Sequence, residues 1–202
     1  MQLLGKIMSN VLMALYQPFY YALLSAVLLD FLYLYAYQPI NVGRGLKAAV
    51  KGWLKEFKVS SFFRRLFLLF FITMMILFRT LLNRNMWLNP LSDVMGGWWI
   101  WENINGEQTL TTECIENLIL LMPFVFVLFW TFTREIVIET IFSAIWKGIK
   151  VAFCFSFTIE MLQLFLSLGT WQFSDIFYNT VGGAFGGMLY YVTYRVKKHS
   201  GG

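Results

Sequence analysis

Residues 147–168 read KGIKVAFCFSFTIEMLQLFLSL, and after a break of six residues, 175–194 read DIFYNTVGGAFGGMLYYVTY. Each run has about the 20 residues that a helix needs to cross a bilayer. The pair reads as two antiparallel spans joined by a short turn. Yet the spans hold Glu160, Gln163, Asp175 and Asn179. A charge at the bilayer centre costs about 2.5–3.5 kcal/mol on insertion scales, so polar groups there face the bundle interior and one another. Gln163 stands at i+3 from Glu160, and Asn179 at i+4 from Asp175, so each pair shares one face of its helix. These two runs decide the class, an all-α polytopic membrane protein, and pose the question of what the polar groups do.

Working outward, three more runs are long enough to cross a bilayer: about Val11–Tyr37, Phe62–Leu82 and Asn117–Phe132. The last is short and reads better if it begins near Cys114. That gives about five transmembrane helices. The composition agrees, with 58% hydrophobic and 13% charged residues among 202. A soluble domain carries roughly 25% charged residues, and so apolar a chain is not disordered. The two cysteines, Cys114 and Cys154, make no disulfide framework. His199 is the sole histidine, which leaves no zinc site built on histidine and argues against a Ser-His-Asp triad. No cofactor or metal is called for. Pro18 and Asp30 in the first run have no account in the sequence.

Loop charge sets the orientation. Between the first two spans Arg44, Lys47, Lys51, Lys55, Lys58, Arg64 and Arg65 stand against Glu56 alone. Between the second and third, Arg84 stands against Asp93, Glu102, Glu107, Glu113 and Glu116. The tail carries Arg195, Lys197 and Lys198. The positive-inside rule places the basic loop and C-terminus in the cytoplasm, and the N-terminus and acidic loop outside. The net charge of +5 is thus a topology signal, and no nucleic-acid partner is expected. The basic residues at 44, 47, 51, 55 and 58 have helical spacing, which reads as an interfacial helix on anionic lipid or as a partner surface. Trp87, Trp98, Trp99 and Trp101 in the acidic loop read as headgroup-level anchors or as the mouth of a binding site.

In this topology Arg79 lies near the outer end of the second span and Asn117 opens the third. Glu160, Gln163, Asp175 and Asn179 fall in the same outer half of the membrane. Distant in sequence and similar in depth, the six can satisfy one another only if they meet. One reading is structural, with Arg79 paired to Glu160 and Asp175 at the positive end of the fifth helix. The other is an outward-facing polar pocket that binds a headgroup. Gly182, Gly183, Gly186 and Gly187 form small-xxx-small pairs, with Gly182/Gly186 expected to pack the fifth span against a neighbour, the fourth span.

The block Glu160-x-x-Gln163, then Asp175-x-x-x-Asn179-Thr180-x-Gly182-Gly183, resembles the VanZ-like family. Glu116-Asn117 followed by Pro123-Phe124, Asn89-Pro90 in the acidic loop, and Arg79 at the end of a span are similar to that family too. Two positions depart from it: Val125, where members often carry glycine, and Thr170, where many carry arginine. The resemblance implies a core at 62–196, preceded by an extra span and basic loop at 1–61 and followed by a tail at 197–202. It implies a bacterial inner-membrane protein linked to teicoplanin resistance. Its site residues would be Glu160, Gln163, Asp175 and Asn179, joined by Arg79 and Asn117. The partners would be membrane lipids and a lipid-linked cell-wall precursor or lipoglycopeptide. The alternative is an intramembrane hydrolase or transferase on an envelope lipid, with Glu160 and Asp175 as acid and base. A transporter is disfavoured, since no internal repeat is visible.

Overall fold

The computed structural model describes residues 5, 8–10, 12–13, 17–37, 45–82, 84–104 and 107–200, without the side chains of 102–104, 107–110 and 195–200. The first long helix, α1, spans Phe19–Leu32 and continues as a π-helical turn, Tyr33–Tyr37. Pro18 is its N-cap. Proline has no N–H to donate and suits the start of a helix. That explains Pro18; the described span runs Phe19–Tyr37, and the expected start at Val11 lies outside the described residues.

α2 (Leu46–Val59) and α3 (Ser61–Leu77) meet at Ser60, whose extended backbone makes the turn and whose hydroxyl accepts from the Phe63 amide. Arg64 donates to the carbonyls of Phe57 and Lys58, closing the end of α2. Lys47, Lys51, Lys55 and Lys58 are exposed along α2. Its other face is aromatic, with Trp53 stacked on Phe57 at 5.1 Å. Trp53 also donates to Asp30 Oδ2 at 3.2 Å, and Asp30 is fully buried. The carboxylate inside the first span is therefore an anchor for the basic helix.

α3 runs on as a second π-helical turn, Phe78–Leu82. After the acidic loop comes an antiparallel hairpin, β1 (Trp101–Ile104) and β2 (Glu107–Leu110), the one departure from all-α structure among the described residues. The third span starts at Glu113, as its length required, and is broken into α4 (Glu113–Leu120) and α5 (Met122–Thr131). Pro123 sits in the first turn of α5 and cannot continue the α4 ladder. α6 (Ile141–Leu166) and α7 (Phe173–Ser200) complete the chain.

Four helices are long and apolar enough to cross a membrane: Phe19–Tyr37, Ser61–Leu82, Glu113–Thr131 and Ile141–Leu166. The fifth run is a helix of sufficient length, but it is not among these four. α7 packs against α4, α5 and α6, so much of its surface meets protein and need not be apolar. Its glycines set the approach. A Cβ at Gly182 would stand 2.1 Å from the Leu118 carbonyl oxygen, and one at Gly186 2.4 Å from that of Met122. Gly182/Gly186 thus seat α7 on the third span, not on the fourth. Gly183 and Gly187 make the contact with α6, against Ala152, Gly148 and Ala144. Helical spacing offered both stripes. Which neighbour each would meet depends on the rotation of α7, which spacing leaves undetermined.

Candidate functional site

α3 and α6 run toward the end of the bundle that carries residues 84–112, while α4 and α7 start there. Antiparallel order therefore delivers Arg79, Asn117, Glu160, Gln163, Asp175 and Asn179 to that one end. Glu160, Gln163, Asp175 and Asn179 are all buried. Asn117 Nδ2 donates to Asp175 Oδ1 at 2.6 Å, linking the third and fifth spans. Asn179 donates to the Ser156 hydroxyl at 2.9 Å, linking the fifth to the fourth. Gln163 donates to the Thr80 carbonyl at 2.8 Å. That oxygen belongs to the last turn of its helix, where carbonyls have no intrahelical partner.

Glu160 accepts from the Gln172 backbone amide at 3.0 Å, immediately before α7. Asp175 stands in the first turn of the same helix. Both carboxylates thus lie at the positive end of the α7 dipole. They are within electrostatic reach of one another, and both feel Arg84 and Glu113.

Arg79 does not pair with Glu160. Its Nη2 meets Glu116 Oε2 at 2.5 Å. Glu116 also accepts from the Thr112 hydroxyl, which in turn accepts from Asn10 Nδ2 at 2.6 Å. Sequence gives the depth of each acid but not its direction around the helix axis, and Glu116 opens a helix at the depth of Arg79. Arg79 and Asn117 still adjoin the buried group, since Glu116 precedes Asn117 and Arg79 precedes Thr80.

The acidic loop closes over this end. Trp87 N donates to Ser167 O at 2.7 Å, Trp171 N to Pro90 O at 2.8 Å, and Phe173 N to Val94 O at 2.9 Å. Gln172 Nε2 donates to Asp93 at 2.9 Å. Trp98 packs on Phe177 and Tyr178, and its carbonyl accepts from the Tyr178 hydroxyl. Trp87, Trp99 and Trp101 are exposed. Gly96 has φ +68°, and a Cβ there would lie 2.1 Å from Ser174 Oγ. A Gly96→Val variant is therefore expected to lift this loop, read out as faster backbone hydrogen exchange at Trp171 and Phe173. Unchanged exchange there would contradict the packing.

In the sequence Arg84 stands as a lone cation in an acidic loop, with no motif to mark it as part of the site. Its guanidinium lies over Gly169, 2.8 Å from where a Cβ would be. Gly169 has φ +90°, and Ser167 before it is left-handed at φ 54°. A cation thus sits at the turn where Thr170 replaces the expected arginine. Five buried side-chain atoms at this end have no hydrogen-bond partner among the described residues: Gln163 Oε1, Asn179 Oδ1, Ser174 Oγ, Trp98 Nε1 and Trp171 Nε1. No group of three or more His, Cys, Asp and Glu among the described residues is arranged to hold a metal ion.

Apolar spans in antiparallel order, with acids and amides gathered at one end, define a helical membrane protein with a polar core beneath one face. The VanZ/LLP1 family model matches residues 50–194, and the chain belongs to that family. The matched region begins within α2 and leaves α1 before it. No curated protein and no solved structure matches the chain.

Proposed function

We propose that the polar end of the bundle binds the head of an amphiphilic envelope ligand, and that through this binding the protein contributes to glycopeptide resistance of the teicoplanin type. The ligand is a lipid-linked cell-wall precursor or the lipoglycopeptide itself. On the positive-inside rule this end faces outward in the cytoplasmic membrane of a bacterium, with the C-terminus inside.

The observation that carries the reading is the set of unpartnered polar atoms beside the two acids. Gln163 Oε1 and Asn179 Oδ1 are acceptors, and the indoles of Trp98 and Trp171 are donors. Buried polar atoms are nearly always hydrogen-bonded, and leaving one unmet costs about 1–3 kcal/mol. A purely structural cluster would have closed these bonds internally. Donors and acceptors waiting beside two carboxylates suit a ligand rich in hydroxyls and amides. Glu160, Asp175, Gln163, Asn179 and Asn117 would hold it, with Arg79 and Arg84 at the rim.

The test is thermal unfolding of the detergent-purified protein, titrated separately with teicoplanin and with a lipid-linked wall precursor. A ligand that binds only the folded state stabilises it by about 2.7 kcal/mol at a hundredfold excess over Kd. One of the two is expected to raise the wild-type Tm by several degrees and to leave Glu160→Gln unmoved. No shift with either, or equal shifts in both proteins, would refute the reading.

A further inference from the structure

At the opposite, basic end of the bundle lies a cleft of about 780 Å³ between α3, α5 and α7. Arg65 on α3 is fixed there. It donates to the Ser61 carbonyl at 3.2 Å and to the Trp130 carbonyl at 2.5 Å, and stacks over the Trp130 ring at 5.7 Å. These bonds use Nε and Nη1 and leave Nη2 unbonded among the described residues. Arg134 lines the same cleft, is exposed, and makes no ion pair or hydrogen bond among the described residues. Glu135 lines it too. Two guanidinium groups against one carboxylate leave one net positive charge. Phe126, about one turn deeper than Trp130 on α5, supplies apolar wall below, and Phe62 lines the cleft beside Arg65.

We infer that this cleft holds the phosphate of an anionic phospholipid of the phosphatidylglycerol class, with its acyl chains running inward along Phe126. A planar guanidinium recognises phosphate through paired hydrogen bonds. Arg65 is already oriented, so little side-chain freedom is lost on binding. A singly charged head matches the net charge of the cleft. Basic pockets between helices on the cytoplasmic side are suited to such heads. The exposed lysines of α2, on the helix packed beside α3, draw anionic lipid to the same surface. The inference is independent of the polar end, where none of these residues lies.

Native mass spectrometry of the whole protein in detergent, with equimolar phosphatidylglycerol and phosphatidylcholine, tests it. Wild-type protein is expected to retain phosphatidylglycerol preferentially. Arg134→Gln, at an exposed position, should reduce that preference about fivefold without changing the melting temperature. Glu135→Gln should increase it. Equal retention of both lipids, or an Arg134→Gln variant that behaves as wild type, would overturn the inference. Displacement of the lipid by millimolar inorganic phosphate would also overturn it, making the cleft a site for free phosphate.

Discussion

Gly182→Val is expected to leave almost no folded protein in the membrane. A Cβ at this position would meet the backbone oxygen of Leu118 at 2.1 Å and its carbonyl carbon at 3.0 Å. A clashing side-chain tip can rotate away, but these atoms belong to a helix backbone. The helices would have to separate by more than an ångström along the seam that Gly186 and Met122 continue. Overpacking a core costs typically about 1–3 kcal/mol and occasionally more. A backbone clash at a small-residue crossing belongs at or above the top of that range. The seam also positions the site, because Asp175, bonded to Asn117, lies two turns above Gly182 on the same helix. Membrane abundance and a monodisperse gel-filtration peak in detergent check this. A valine variant with wild-type abundance and melting temperature would mean that the crossing is looser than described.

The second large effect is expected at Arg79. Its partner Glu116 has a side chain 16% exposed, while Arg79 itself is 27% exposed. Arg79→Gln leaves that carboxylate without its cation at a helix end within the bundle. Removing one partner of a buried pair destabilises by about 3–5 kcal/mol, and partial exposure places this pair near the lower limit. The Thr112–Asn10 bonds would lose their anchor as well. The exchange Arg79→Glu with Glu116→Arg is expected to recover part of the loss, whereas Glu160→Gln is expected to have no effect on it. Melting temperatures of the single and exchanged variants give the coupling. An Arg79→Gln protein as stable as wild type would rule out a structural role for the pair.

Much of this architecture was legible because hydrocarbon enforces it. Apolar length located the second span to within a residue and the others more loosely, the helix of the fourth span beginning at Ile141 and not Lys147. The cost of isolated charge required Glu160, Gln163, Asp175 and Asn179 to face inward. Their direct partners were not legible. A linear pattern gives depth along a helix, but the choice between Glu116 and Glu160 for Arg79 depends on rotation and tilt. Backbone pairing was likewise hidden. Nothing in Trp87, Pro90 or Val94 announces a bond to 167–173. Arg84 joined the site only because that pairing carries it over Gly169. The tie from Asp30 to Trp53 crosses a loop from a span to the helix beyond it. The hairpin could have been found, since Asn105-Gly106 separates β1 from β2 and is the pair that tight antiparallel turns favour. α7 departs from the other spans in apolarity because its neighbours are helices more than lipid.

The most direct test of the central claim is made in cells, in a strain whose teicoplanin tolerance depends on this protein. Glu160→Gln and Asp175→Asn keep the size of each side chain, and glutamine can still accept from the Gln172 amide. Inhibitory concentration and membrane abundance are measured together for both variants and the wild type. Tolerance should fall to the level of a strain lacking the protein while abundance stays within about twofold. Wild-type tolerance in both variants, or tolerance that falls only in proportion to abundance, would make the acids at the polar end scaffolding and not a site.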